Sequence, residues 1–144
     1  MMQIDRSDAR VGAGKRGVAV VLDSWAVIRS LENAQPAAAA VAELLEADRP
    51  VMRWITLGEV FYVVPRGFGE EAAHSTVRDL RVEIAPELPN ESRVLEAARI
   101  KAEYPTAYAD AFAAATALAR DATLWTGDSE LLIEDAPWRW RDLR

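Results

Sequence analysis

The chain has 144 residues, 51% apolar and 28% charged, with a formal net charge of -6, no cysteine and one histidine, His74. That length suits one hydrophobic core, and the balance is that of a folded globular protein rather than a disordered chain. Disulfides, thiolate zinc sites and thiol nucleophiles are excluded, and chemistry built on paired histidines has little to work with.

Residues 1–17 are polar and carry Gly12, Gly14 and Gly17. They read as a flexible leader ahead of one domain over residues 18–144. Gly12-Ala13-Gly14-Lys15-Arg16 partly resembles a phosphate loop, but Ala9 stands in place of the first glycine and Arg16 in place of Ser or Thr. No strand precedes it, so no nucleotide site is expected there. Val18–Leu22 is a short β-branched run, the pattern of a strand buried on both faces. Asp23 ends it, and Trp25–Leu31 reads as a helix. Pro36 opens a second helix with Val41, Leu44 and Leu45 on its apolar side, and Pro50 stops it. Val51–Ile55 is expected as a second strand. Thr56–Val64 has Leu57, Val60, Phe61 and Val64 at spacings of three and four, which predicts a helix. Gly67 and Gly69 break it before an amphipathic helix over Glu70–Leu80. Val82–Ala85 is expected as a third strand, with Pro86 and Pro89 in the loop beyond. Ser92–Tyr104 reads as a helix, and Pro105 separates it from the alanine-rich helix Tyr108–Arg120. Thr123–Thr126 is a fourth strand, Ser129–Ile133 a short helical turn, and Trp138–Leu143 a last strand. Strands alternating with helices predict an α/β fold, a mostly parallel sheet covered on both faces. No run of about 18 apolar residues and no basic-then-apolar N-terminus is present, so neither a membrane span nor export is expected. The lack of cysteine fits a reducing cytoplasm.

Four acids share one kind of position. Asp23 follows the first strand, Glu59 lies in the first turn after the second, Asp110 in the first turn of the alanine-rich helix, and Asp128 after the fourth strand. In an open parallel sheet the carboxyl ends of the strands are where ligands bind. Each acid also has a local explanation. Asp23 and Asp128 suit helix N-caps, Thr56-x-x-Glu59 matches a capping box, and Asp110 complements a helix dipole. Those explanations do not require four acids at four strand–helix junctions. Close carboxylates repel unless a cation intervenes, and a hard divalent cation such as Mg²⁺ takes oxygen ligands. Two such ions about 3.5–4 Å apart would clamp the attacking and leaving oxygens of a phosphodiester. The acidic net charge argues against a simple phosphate-binding surface, but acids gathered around a cation lower net charge without repelling RNA.

Val20-Val21-Leu22-Asp23-Ser24, Thr56-Leu57-Gly58-Glu59-Val60, Ala109-Asp110-Ala111-Phe112-Ala113-Ala114-Ala115 and Thr126-Gly127-Asp128-Ser129-Glu130-Leu131 resemble, in order, the four signature blocks of PIN-domain ribonucleases. The chain is most similar to the VapC toxins of toxin–antitoxin pairs, over about residues 18 to 140. The resemblance implies a Rossmann-like three-layer α/β/α fold, Mg²⁺ or Mn²⁺ at the acids, endonucleolytic cleavage of RNA, a VapB-type antitoxin partner and homodimers. It also implies Asp23 and Asp110 as principal metal ligands, with Glu59 and Asp128 completing the catalytic quartet. Ser24 and Thr126 would support those ligands from behind. The leader before the first strand is longer than the family pattern.

Other residues have plainer readings. Glu130 is expected on a solvated surface, with a supporting role near Asp128 as the alternative. His74 is expected at or near the surface. Lys101 suits either a solvated helix face or a phosphate contact. Trp138 and Trp140 alternate with Arg139 and Arg141, a strand signature with Trp inward. Trp25 and Trp54 are expected in the core rather than stacking on bases. Two other functions compete with the nuclease. One is a non-catalytic PIN-like module that binds protein. The other is phosphotransfer through Asp23, although Asp23-Ser24-Trp25 lacks the second acid of a D-x-D loop.

Overall fold

In the computed structural model, which describes residues 18–63 and 67–144, the first buried run is β1 (Val20–Leu22). Asp23 then caps α1 (Ser24–Leu31), and α2 (Ala37–Ala47) leads to β2 (Val51–Arg53). The chain continues through α3 (Trp54–Val63), α4 (Glu70–Glu83), β3 (Ala85–Glu87), α5 (Glu91–Glu103), α6 (Tyr108–Ala119), β4 (Thr123–Thr126) and β5 (Arg139–Asp142). The five strands form one parallel sheet in the order β3-β2-β1-β4-β5. The chain therefore builds outward from β1 to β3, then crosses back to lay β4 on the other side of β1. The order reverses between β1 and β4, which opens a crevice beyond their carboxyl ends.

Both faces of the sheet are covered, which accounts for the unbroken apolar run of β1 and for the buried Val51-Met52 pair of β2. Val21, Val51 and Leu124 pack on one side with Ala97 and Ile100 of α5 and the alanines of α6. Val20, Leu22 and Met52 pack on the other with Val27, Val41, Leu57, Val60 and Leu80 from α1 to α4, and with Ile84 just beyond α4. This is a three-layer α/β/α sandwich, as expected. Asp110 through Ala117 are all buried. A helix buried on all sides needs small side chains, and the alanines let α6 lie close against both the sheet and α5.

Several boundaries differ from expectation. Trp54 and Ile55 open α3 rather than extend β2. The chain turns helical at once because Arg53, itself buried, anchors on groups of α3 and α6. Val82 is exposed and continues α4, and the third strand is Ala85–Glu87. Pro86, expected in a loop, lies within that strand. An edge strand tolerates it, since the neighbouring Ala85 N–H supplies the bond to Pro50 O at 2.9 Å. Ser129–Ile133 forms turns and no helix. The Leu131 N–H bonds Asp128 O at 2.9 Å, and the indole N–H of buried Trp138 bonds Leu131 O at 3.0 Å. The break between α3 and α4 is where glycine was expected to place it. Gly67 and Gly69 have φ of 92° and 93°, a region that side chains rarely adopt. The leader, its phosphate-loop-like stretch and Val64 lie outside the described residues. Among the described residues, no helix is long and apolar enough to cross a membrane.

The packing of α6 yields a test. Ala114 is fully buried, so Ala114→Leu should destabilise the protein by about 1–3 kcal/mol through overpacking. Urea unfolding would measure it, whereas Ala119→Leu on the exposed end of the helix should cost much less.

Candidate metal centre

Asp23 leaves β1 at the crevice, buried to 1% exposure. Its Oδ1 accepts the Ala26 N–H at 3.0 Å and its Oδ2 accepts the Thr126 hydroxyl at 2.5 Å. The cap reading of Asp23 is therefore correct, and so is its placement at the carboxyl end of a strand. Thr126 closes the adjacent strand β4. The same hydroxyl accepts the Asp128 N–H at 2.9 Å, so one side chain links two of the four acids. Ser24, the first residue of α1, is buried beside them.

Asp128 does not cap a helix. Its Oδ1 accepts the Glu130 N–H at 2.9 Å in a local turn, which aims the carboxyl group at α6. Asp110, in the first turn of α6, meets it there with 9% exposure, its carboxylate oxygen within 4.8 Å of that of Asp128. Glu130 is exposed, as expected, yet Asp110, Asp128 and Glu130 bring carboxylate oxygens within 4.8 Å of one another. The Glu130 Oε1 also accepts the Ala107 N–H at 2.9 Å, at the N-terminus of α6. Glu130 thus ties the β4–β5 connection to the helix that carries Asp110.

Glu59 departs from its capping-box reading. Because α3 begins at Trp54, Thr56 lies inside the helix, and its hydroxyl accepts from Arg53 instead. The Glu59 Oε1 is buried with no hydrogen-bond partner. It lies near enough to Asp110 for its charge to act there.

Crowding and burial set the electrostatics. Burial is the main cause that pushes Asp23 up to about 6, aided by Asp128 and opposed by the Thr126 and Ala26 hydrogen bonds and by Arg53. Asp110 is pushed up to about 8, first by burial, then by Asp128, Asp23 and Glu59. The mutual influence places all four acids in one electrostatic neighbourhood. The donor set is entirely carboxylate oxygen, one of its atoms is buried and unpartnered, and its charges repel. That chemistry fits a hard divalent cation.

Arg53 is the residue that sequence reasoning missed. A lone arginine closing an apolar strand looks like an exposed strand end, yet it is 2% exposed. Its only sequence signal is its place between Val51-Met52 and the block that carries Glu59. His74 is largely exposed, set edge-on to Phe61 and paired with Glu70 at 3.5 Å. Lys101 is exposed on the last turn of α5. Trp138 is buried and Arg139 and Arg141 are exposed, with Arg141 over the Trp125 ring at 4.3 Å.

The PIN domain profile matches residues 20–135. The chain belongs to the PIN domain family. Among solved structures, a chain of DNA-bound VapBC from Salmonella typhimurium is similar at a TM-score of 0.70 and 16% identity, over 88% of this chain and 99% of that one. A chain of VapBC-1 from nontypeable Haemophilus influenzae gives 0.66 and 25%, over 87% and 98%. VapC20 from Mycobacterium tuberculosis, described as a sarcin-ricin loop cleaving toxin, gives 0.64 and 17%, over 78% and 92%. No curated protein matches the chain. In this PIN domain the crevice at the β1–β4 reversal is where the acids meet.

Two outcomes follow from the geometry. A Cβ at Gly127 would overlap the Trp25 indole. Gly127→Ala should therefore shift the Asp128 turn and lower the melting temperature, and Trp25→Leu in the same chain should restore most of the loss. For pH, the folded values of Asp23 and Asp110 lie above the ordinary 3.8. The folded state then binds more protons than the unfolded one. Their contribution is fully present at low pH and is lost as pH rises from about 4 to about 8. Melts in EDTA should show that decline, and Asp110→Asn should flatten its upper part.

Proposed function

We propose that this PIN domain is a metal-dependent endoribonuclease, the toxin of a VapBC-like toxin–antitoxin pair. The observation that carries the reading is the convergence of Asp110, Asp128 and Glu130 beside buried Asp23 and half-buried Glu59, at the reversal point of a parallel sheet. Membership of the PIN family supports it, as does likeness to VapC20, described as a sarcin-ricin loop cleaving toxin.

The chain's own residues divide the work. Asp110 and Asp128 are the first ligands for Mg²⁺ or Mn²⁺, because their oxygens already face one another. Asp23 acts from the strand end. Both of its oxygens accept hydrogen bonds, which holds its carboxylate in one orientation while leaving lone pairs free. Thr126 positions Asp23 and Asp128 together, and buried Ser24 follows Asp23 directly in α1. The unpartnered Oε1 of Glu59 is an acceptor able to orient the attacking water. A bound divalent cation supplies Lewis-acid activation of that water and neutralises charge on the phosphodiester. No histidine base is required. The burial and double hydrogen bonding of Asp23 disfavour phosphotransfer through it, since an in-line attack needs an open oxygen.

The likeness to chains of VapBC complexes supports a VapB-type antitoxin as partner. We read residues 18–144 as one nuclease domain, working as a homodimer in the cytoplasm. The decisive assay incubates purified protein with total RNA. Cleavage should appear with Mg²⁺ or Mn²⁺ and stop with EDTA. Asp23→Asn and Asp110→Asn should each lower the rate by at least about 100-fold, in the range seen when a main electrostatic group is removed. Unaltered cleavage by either variant would sink this assignment. An intact domain that binds no Mg²⁺ or Mn²⁺ would favour the non-catalytic module.

A further inference from the structure

Arg53 ends β2 at the same end of the sheet as the acids, with 2% exposure. Its Nη1 donates to Ala109 O at 2.8 Å, the carbonyl just before Asp110. Its Nη2 donates to the Thr56 hydroxyl, one turn before Glu59 on α3. One guanidinium therefore bridges the two helices that bring Asp110 and Glu59 to the crevice. Both acceptors are neutral, and its Nε is buried without a partner. Among the described residues it forms no direct ion pair with a carboxylate, so its charge is not spent on any single acid. It acts instead on several at once, since Asp23, Glu59, Asp110 and Glu87 all bear on it electrostatically. A buried arginine held by neutral acceptors is costly unless nearby charge offsets it.

We propose that Arg53 is the resident counter-cation and positioning residue of the acid site, offsetting carboxylate repulsion and fixing α3 against α6 before any metal is bound. The proposal rests on the acids forming one site, as in the function proposed above. It assigns Arg53 no contact with RNA or the reacting atoms.

A double-mutant cycle in EDTA tests it. Arg53→Met keeps an unbranched apolar stem but removes the charge and both guanidinium hydrogen bonds, and Glu59→Gln keeps shape and removes one carboxylate. If Arg53 offsets carboxylate repulsion, the melting-temperature loss from Arg53→Met should fall by roughly half or more in the Glu59→Gln background. Arg53→Lys, which keeps the charge but not the two-point bridge, should lose less than Arg53→Met. An equal loss from Arg53→Met in both backgrounds would overturn the proposal, because a merely structural bridge would be indifferent to the Glu59 charge. If Arg53→Met alone does not fold, the double variant should; failure of both overturns the idea as well. These melts contain neither metal nor RNA. A wild-type protein that cut no RNA would defeat the ribonuclease reading while the coupling could still be measured.

Discussion

The Thr126 hydroxyl is the small link on which the acid site depends. It donates to Asp23 at the end of one strand and accepts from the amide of Asp128 at the end of the next. Because β1 and β4 are parallel neighbours in register, their ends coincide. The hydroxyl turns that coincidence into a fixed spacing between two acids. An apolar residue at position 126 would leave a buried carboxylate oxygen and an amide without partners, a cost well above that of the hydrogen bonds themselves.

Around that link the fold spends stability to gather like charges. Asp110 is held against Asp128 by a helix whose buried face is mostly alanine. Small side chains let α6 approach the sheet end, and Glu130 fastens the helix start to the β4–β5 connection. On the opposite flank Arg53 ties α6 to α3. The acids are thus fixed from strand ends, a loop and two helices. That arrangement is typical of sites where local strain is offset by a rigid surround.

Much of this was readable from sequence for definite reasons. The β-branched run before Asp23 and the segment Thr123–Thr126 are short, apolar and bounded by turn residues, so both strands were expected where they lie. The parallel, two-sided sheet followed from the alternation of elements. Where the reading slipped, the signal was local while the cause was tertiary. Thr56 and Glu59 have capping-box spacing, but the helix starts two residues earlier because Arg53 anchors the turn, and this leaves Glu59 uncapped and inward. Glu130 looks like any surface acid until the β4–β5 connection folds it onto the N-terminus of α6. Val82 has strand propensity yet ends a helix, because the edge strand begins only where Ala85 meets Pro50 O. The convergence of acids from distant segments is a property of topology, which no window of sequence contains.

The two borders of the sheet carry a separate consequence. On one side β3 places Pro86 in its middle, a residue with no N–H to offer a further strand. On the other, β5 reads Arg139-Trp140-Arg141-Asp142, with charges at its exposed positions. Each is a known way of discouraging edge-to-edge pairing. Another polypeptide would find little to gain by lengthening this sheet in either direction. Association with a second chain is therefore steered onto the helical layers, where side-chain shape rather than backbone pairing decides the match, and the sheet is protected from open-ended stacking when the protein accumulates.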